Sequence, residues 1–169
     1  MKEIKTDYKI VDRDTAADWV RDLQARGKKV VFTNGCFDLL HLGHVQCLEQ
    51  ARSLGDALMV AVNTDESVRR LDKSPGRPFN PESDRAAVVA ALACVDRVVL
   101  FPEDTPLELI TALGPDVLVK GGDYRAEDIV GREAVLARGG RVMVLPLVPG
   151  RSTTALLARI CGKKPPPDF

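Results

Sequence analysis

Five short runs of apolar and β-branched residues recur along the chain with almost no polar interruption. They are "KKVVFT" (28–33), "ALMVAVN" (57–63), "RVVLF" (97–101), "DVLVKG" (116–121) and "RVMVLPL" (141–147). A strand with one face in water alternates apolar and polar positions. These runs do not, so they predict strands covered on both faces, as in a parallel sheet. Between them the apolar positions recur at helical spacing. Ala16, Trp19, Val20 and Leu23 mark a helix over 15–26 that stops at Gly27, and Val45, Leu48 and Ala51 mark one over 44–54 that stops at Gly55. Further helices are predicted over 83–94, 106–113, 132–138 and 154–161. Strands alternating with helices build βαβ units, so the expected fold is α/β, mainly a five-stranded parallel sheet with helices on both faces.

Residues 1–27 are expected to form an N-terminal helical extension, 28–162 a single main domain, and "KKPPPDF" (163–169) a flexible tail, because its prolines cannot continue a helix. The least regular segment, "RRLDKSPGRPFNPESDR" (69–85), is a charged Pro/Gly-rich loop of the kind that often carries function. A chain of 169 residues can bury a full core without staples. Lysine plus arginine balances aspartate plus glutamate at 24 each, and only eight residues are aromatic (one Trp, two Tyr, five Phe). Neither a nucleic acid nor a membrane is therefore an expected partner. The N-terminus is too charged for a signal peptide, no apolar run approaches a membrane span, and the four cysteines lack a CxxC pair, all of which fits the cytoplasm.

In an open parallel sheet, ligands bind beyond the carboxyl ends of the strands, near the switch in strand order. "TNGC", "NTDES", "KGGDY" and "PGRSTT" all come after strands and should meet along one edge. The densest chemistry lies in "TNGCFDLLHLGHVQCL" (33–48), which admits three readings. Asn34-Gly35 is a hairpin signal, but the residues after it have helical rather than alternating spacing. Cys36, His41, His44 and Cys47 are ligand types that zinc accepts, in a spacing that matches no familiar zinc pattern. The third reading is a phosphate cradle. The strand ends at Thr33, glycine turns the backbone, and a helix begins near Gly43 with its free N–H groups facing an anion. Two imidazoles flank that start, and Gly43 leaves room for a close phosphate. We favour the cradle.

The "HLGH" of residues 41–44 resembles the HxGH signature of the nucleotidyltransferase superfamily. The longer string from Thr33 through "VNTDESVRRL" is similar to the bacterial D-glycero-D-manno-heptose 1-phosphate adenylyltransferases. "PGRPFNPESDRAAVVAAL", "DTPLELI", "PDVLVKGGDY" and "GRSTTALLARI" come next in that family's order, so the likeness runs from about Lys28 to Ile160. The loop "DKSPGRP" is one residue longer than the family's usual version, so Lys73 receives no role. The family often carries this activity behind a sugar kinase domain; this chain resembles the stand-alone form.

The resemblance implies a Rossmann-like domain that transfers AMP from ATP to heptose 1-phosphate, giving ADP-heptose and pyrophosphate for lipopolysaccharide or heptose-glycan synthesis. The acceptor phosphate is already ionised near neutral pH, its second pKa being ~6. No general base is needed, only positioning and charge stabilisation. By matching positions, His41, His44 and Lys120 would be catalytic. Thr33, Asn34, Gly35, Cys36, Phe37, Gly43, Gly121, Gly122, Asp123, Arg151, Ser152, Thr153 and Thr154 would hold ATP. Asp38, Asn63, Asp65, Ser67, Arg69, Arg77 and Arg85 would face the sugar phosphate. No protein metal site is expected; Mg²⁺ would come mainly on the ATP phosphates. A homo-oligomer, dimer or tetramer, is expected. Two rival functions are a cytidylyltransferase for glycerol 3-phosphate or ethanolamine phosphate, and a nucleotide-sensing module without catalysis.

Overall fold

Six strands, β1 (Ile10–Val11), β2 (Val30–Gly35), β3 (Ala57–Asn63), β4 (Arg97–Phe101), β5 (Val117–Gly121) and β6 (Arg141–Leu145), form one sheet in the order β1-β4-β3-β2-β5-β6. Every pairing is parallel. The computed structural model describes residues 6–71, 76–122, 124–146 and 150–162. Lys73, Asp123 and the tail 163–169 lie outside the described residues.

β2, β3, β4 and β5 are covered on both faces, as their composition requires, whereas β6, at the sheet edge, alternates exposed and partly buried positions up to the buried Leu145. Val30, Phe32, Met59, Ala61, Val99 and Leu118 point to one side. They meet α1 (Arg13–Ala25), α5 (Leu107–Leu113) and α6 (Arg132–Ala137) through Ala16, Val20, Leu109, Ile110 and Val135. Val31, Leu58, Val60, Val62, Val98 and Val117 point to the other side, where α2 (Leu42–Arg52) and α4 (Glu82–Ala90) bury Leu48, Ala51, Ala86 and Val89. Successive residues of one strand thus feed two cores, which is the period-two geometry of a pleated strand.

Two elements differ from the sequence expectation. The sixth strand, β1, lies inside the extension expected to be helical and pairs with β4, Ile10 opposite Val98 and Val11 opposite Val99. Two residues carry no readable period; their strand exists because β4 offers an open edge. Lys9 fastens the entry, its Nζ donating to the carbonyls of Val95 (2.7 Å) and Leu92 (3.3 Å). The second difference is α3 (Asp65–Arg70), which begins straight after β3 where no element was expected and runs into the start of the expected 69–85 loop. The Thr64 hydroxyl caps it by accepting from the Ser67 N–H (3.3 Å), with Asp65 and Glu66 in its first turn and Arg69 and Arg70 in its last. Last comes α7 (Thr153–Ile160), started by the Ser152 hydroxyl accepting from the Ala155 N–H (3.0 Å).

Phe32 is fully buried in the centre of the sheet. Phe32→Ala should lower unfolding stability by about 3–5 kcal/mol, read as a fall in urea midpoint at unchanged slope.

Candidate active site

β3, β4 and the edge strand β1 lie on one side of β2, and β5 and β6 on the other, so β2 and β5 flank the switch in strand order. Their pairing is short. Val31 faces Val117 and Phe32 faces Leu118, while β2 continues along β3 to Gly35 and β5 along β6 to Gly121. The last residues of the two strands therefore part, and a cleft of about 290 Å³ opens between them. Thr33 and Asn34 line it from β2, Phe37 from the turn after it, His41, Gly43 and His44 from the start of α2, Lys120 and Gly121 from β5, and Arg151, Ser152 and Thr153 from the start of α7. Two helix N-termini with unpaired N–H groups thus face one space, which suits an anion.

His41 is the N-cap of α2 and His44 its third residue; their rings stack at 3.9 Å between centroids. The backbone N–H of His41 donates to Nδ1 of His44 (3.4 Å), which assigns the His44 proton to Nε2 and leaves that N–H for a ligand. Burial holds the His44 pKa at about 4 rather than its usual 6.5, with the charge of His41 second. Burial, and then Arg151, lower that of His41 as well. Both rings are therefore neutral donors near pH 7. Nδ1 of His41 is buried and has no hydrogen-bond partner among the described residues. A side chain at Gly43 would put its Cβ 3.0 Å from that ring and 3.3 Å from Cβ of Arg151. Glycine here is what lets α2 and the α7 loop approach each other. Phe37 has a left-handed backbone (φ 49°) and its ring stands 5.5 Å from that of His44. A non-glycine residue held there stores strain of the kind that collects at functional sites.

A second cavity of about 250 Å³ adjoins the first, lined by Asn34, Asn63, Lys120 and Tyr124 together with Asp104 and Asp128. Asn34, Lys120 and Tyr124 belong to both spaces. Nζ of Lys120 donates to Oδ1 of Asn34 (3.2 Å), a bond across the parted strands.

Several residues expected to face the sugar phosphate brace the site instead. Arg85 is closed to solvent, its side chain 0% exposed. Its Nη1 donates to the carbonyls of Cys36 (2.7 Å) and Asn63 (2.8 Å), Nε to that of Asn80 (3.0 Å), and Nη2 to the Asp65 carboxylate (2.7 Å). A guanidinium so engaged cannot also hold a phosphate; it ties the end of β2 to the end of β3. Asp38 is buried and accepts from the N–H groups of Phe79 (2.9 Å) and Asn80 (2.9 Å), pinning the 76–81 loop. Ser67 is buried between Nδ2 of Asn63 (2.9 Å) and the Glu103 carbonyl (2.8 Å).

The remaining expected residues fall in varied places. Gly35 ends β2 and Cys36 follows it, the Cys36 thiol facing Oδ1 of Asn63 (3.8 Å). Gly122 is buried and donates to the Leu145 carbonyl (3.0 Å). Thr154 and Arg69 are exposed, and Nε of Arg77 is buried without a hydrogen-bond partner among the described residues. Tyr124, Asp104 and Asp128 were not anticipated. Tyr124 had a signal, its place directly after "KGGD", and Asp104 opens the motif "DTPLELI", whereas Asp128 ends a short 3-10 turn (Ala126–Asp128) without a motif.

Mg²⁺ takes oxygen ligands. The described lining of the nucleotide-sized cleft offers imidazole, ammonium, guanidinium and hydroxyl groups but no carboxylate. Among the described residues no cluster of three or more His, Cys, Asp or Glu is placed to hold an ion. This donor set suits the phosphates of a nucleotide, on which Mg²⁺ would be carried.

A Rossmann-like parallel sheet whose switch point carries HxGH at a helix start defines a nucleotide-binding α/β protein. The chain belongs to the cytidylyltransferase-like family, whose model matches residues 32–158. It is 58% identical over 155 residues to the bifunctional protein HldE of Citrifermentans bemidjiense, covering 92% of this chain and 32% of that one. With HldE of Vibrio cholerae serotype O1 (strain M66-2) the identity is 56% over 157 residues, covering 93% and 33%. The chain thus spans about a third of the length of these curated relatives. Among solved structures, the lipopolysaccharide core biosynthesis protein of Thermoplasma volcanium superposes with a TM-score of 0.60 at 30% identity, covering 72% of this chain and 98% of that one. Pantoate–β-alanine ligase of Francisella tularensis shares the fold, with a TM-score of 0.59 at 17% identity, covering 86% and 68%.

The site's electrostatics lead to two expected outcomes. Because His44 is buried neutral, its share of stability is complete above pH 6.5 and is lost as pH falls towards 4; NMR of the ligand-free protein should place its titration near 4. Arg85→Ala leaves three carbonyls and the Asp65 carboxylate without their donor, and should cost about 3–5 kcal/mol by chemical denaturation.

Proposed function

We propose that the chain is a nucleotidyltransferase that moves AMP from ATP to heptose 1-phosphate, releasing pyrophosphate and supplying ADP-heptose for lipopolysaccharide or heptose-glycan synthesis. What carries the reading is the pair of joined cavities: one beneath two helix N-termini and two neutral imidazoles, the other beyond Asn34 and Lys120. The first suits a triphosphate and the second a smaller polar acceptor. The choice of heptose rests on the ordered motifs from Lys28 to Ile160, and the likeness to a lipopolysaccharide core biosynthesis protein agrees with it.

In this mechanism an oxygen of the acceptor phosphate attacks the α-phosphorus of ATP. A new P–O bond forms while the bond between the α-phosphorus and the bridging oxygen breaks, and the electron pair leaves with pyrophosphate. His41 and His44 donate to the phosphates whose charge grows, and Arg151, Ser152 and Thr153 hold the leaving end at the start of α7. Lys120 lies at the wall between the two anions and screens their repulsion. Carried on the ATP phosphates, Mg²⁺ would supply further charge neutralisation there. Four free cysteines fit a reducing cytoplasm, and among the described residues no helix is long and apolar enough to cross a membrane. Assembly as a dimer or tetramer is part of the proposal.

The test is phosphorus NMR of the protein with Mg²⁺, a panel of sugar 1-phosphates, and ATP or CTP. ADP-sugar and pyrophosphate should form from ATP and heptose 1-phosphate. Product from CTP with glycerol 3-phosphate or ethanolamine phosphate alone, or nucleotide binding without any pyrophosphate, would replace the reading. His44→Ala should fold and lose about 10²–10³ in kcat, the effect of removing one preorganised donor.

A further inference from the structure

Tyr124 stands in the partition between the two cavities and touches both. It is 49% exposed, so it does not serve to fill the core. Its ring faces Nζ of Lys120 at 5.6 Å from the centroid. It also lies over the backbone of Gly122, where an added Cβ would come within 3.1 Å of two ring carbons. Gly122 has φ +134°, a conformation that other residues rarely adopt. The backbone after β5 is therefore shaped so that an aromatic ring can fold back against the strand's last charged residue.

From this arrangement we infer that Tyr124 is a positioning residue: its π-face, with Oδ1 of Asn34 on the opposing strand, holds the Lys120 ammonium at the boundary between nucleotide and acceptor. The inference rests on the transfer reading above and adds to it the group that aims the cation. A lysine side chain has four rotatable bonds, and an ammonium in a wet cleft has no fixed direction of its own. The hydrogen bond to Asn34 (3.2 Å) restricts it along one axis, and the electron-rich ring face restricts it along another. Where two anions must meet, an ammonium held at their boundary does more than one moving through both cavities.

The test compares Tyr124→Phe with Tyr124→Leu in the full chain. Phenylalanine keeps the ring face, whereas leucine keeps apolar bulk and removes it. The Phe variant should retain kcat within about twofold. The Leu variant should melt like the parent, keep its KM for ATP, and lose roughly 3- to 30-fold in kcat, the span that a cation–π contact of this exposure supports. The ring-current shift of the Lys120 ε-methylene, seen by carbon-13 NMR, should persist with Phe and vanish with Leu, whatever the activity. A merely structural role would instead move melting temperature and active fraction with kcat per folded molecule unchanged. Wild-type kcat in the Leu variant, or equal losses in both variants, would overturn the inference while leaving the transfer reading intact. A wild-type chain that turns over no nucleotide with any acceptor would overturn that reading itself.

Discussion

The parting of β2 from β5 after Phe32 and Leu118 is the constraint on which the rest of the site depends. A parallel sheet satisfies its backbone by pairing, and here the ladder between the two central strands stops before either strand ends. The unpaired ends cannot be left dry, because buried peptide groups without partners are costly. They are instead opened into a cleft, and the cleft is edged by the N-termini of α2 and α7, which have unpaired donors of their own. Hydrogen-bonding capacity left over from the fold thus becomes hydrogen-bonding capacity for a ligand. Asn34 and Lys120 link the two sides of the gap, and their distance of 3.2 Å sets how wide the mouth stands.

Rigidity on the other side of β2 comes from a charge with no access to water. Arg85 reaches from α4 to the carbonyls where β2 and β3 end, and Asp65 balances it from the first turn of α3. A buried guanidinium is tolerated only where its donors find acceptors, so the spacing of these carbonyls is held tightly. Asp38 works in the opposite sense, an acceptor that collects the N–H groups of Phe79 and Asn80. Together they fix the turn carrying Cys36 and Phe37, and with it the approach to the His41–His44 stack. Through Ser67 the same network reaches the Glu103 carbonyl, and the Glu103 carboxylate pairs with Arg13 of α1. The segment before β2 is thereby joined to the edge of the second cavity.

The imidazole pair shows how packing changes what a motif can do. Exposed histidines would titrate near 6.5 and carry partial charge at neutral pH. Burial keeps His44 neutral down to about 4, and the backbone bond to its Nδ1 directs its remaining N–H outward. Neutral donors bind an anion without first having to be charged, so their hydrogen bonds do not depend on small changes of pH near 7. The proposed transfer uses that property together with the fixed cations Lys120 and Arg151.

Much of this was legible in the order of residues. The five long strands have non-alternating apolar runs; burial on both faces demands them in β2, β3, β4 and β5, while β6 at the edge keeps one face open. The helix that begins within "HLGH" announces itself by spacing and by Gly43. What had no local signature was β1, whose two residues become a strand only because β4 has an open edge, and α3, which is too short to show a period. Side-chain destiny was the least legible part. Arg85 and Arg77 look alike in "GRPFNPESDR", yet one is sealed under the β2 and β3 ends and the other is not. Composition and periodicity determined the α/β class, the strand interiors and the phosphate-facing helix start, since each arises from forces acting within a few neighbouring residues. Which polar groups meet a ligand and which brace the wall was decided only by tertiary structure, because that depends on which distant carbonyls and carboxylates come within hydrogen-bonding reach.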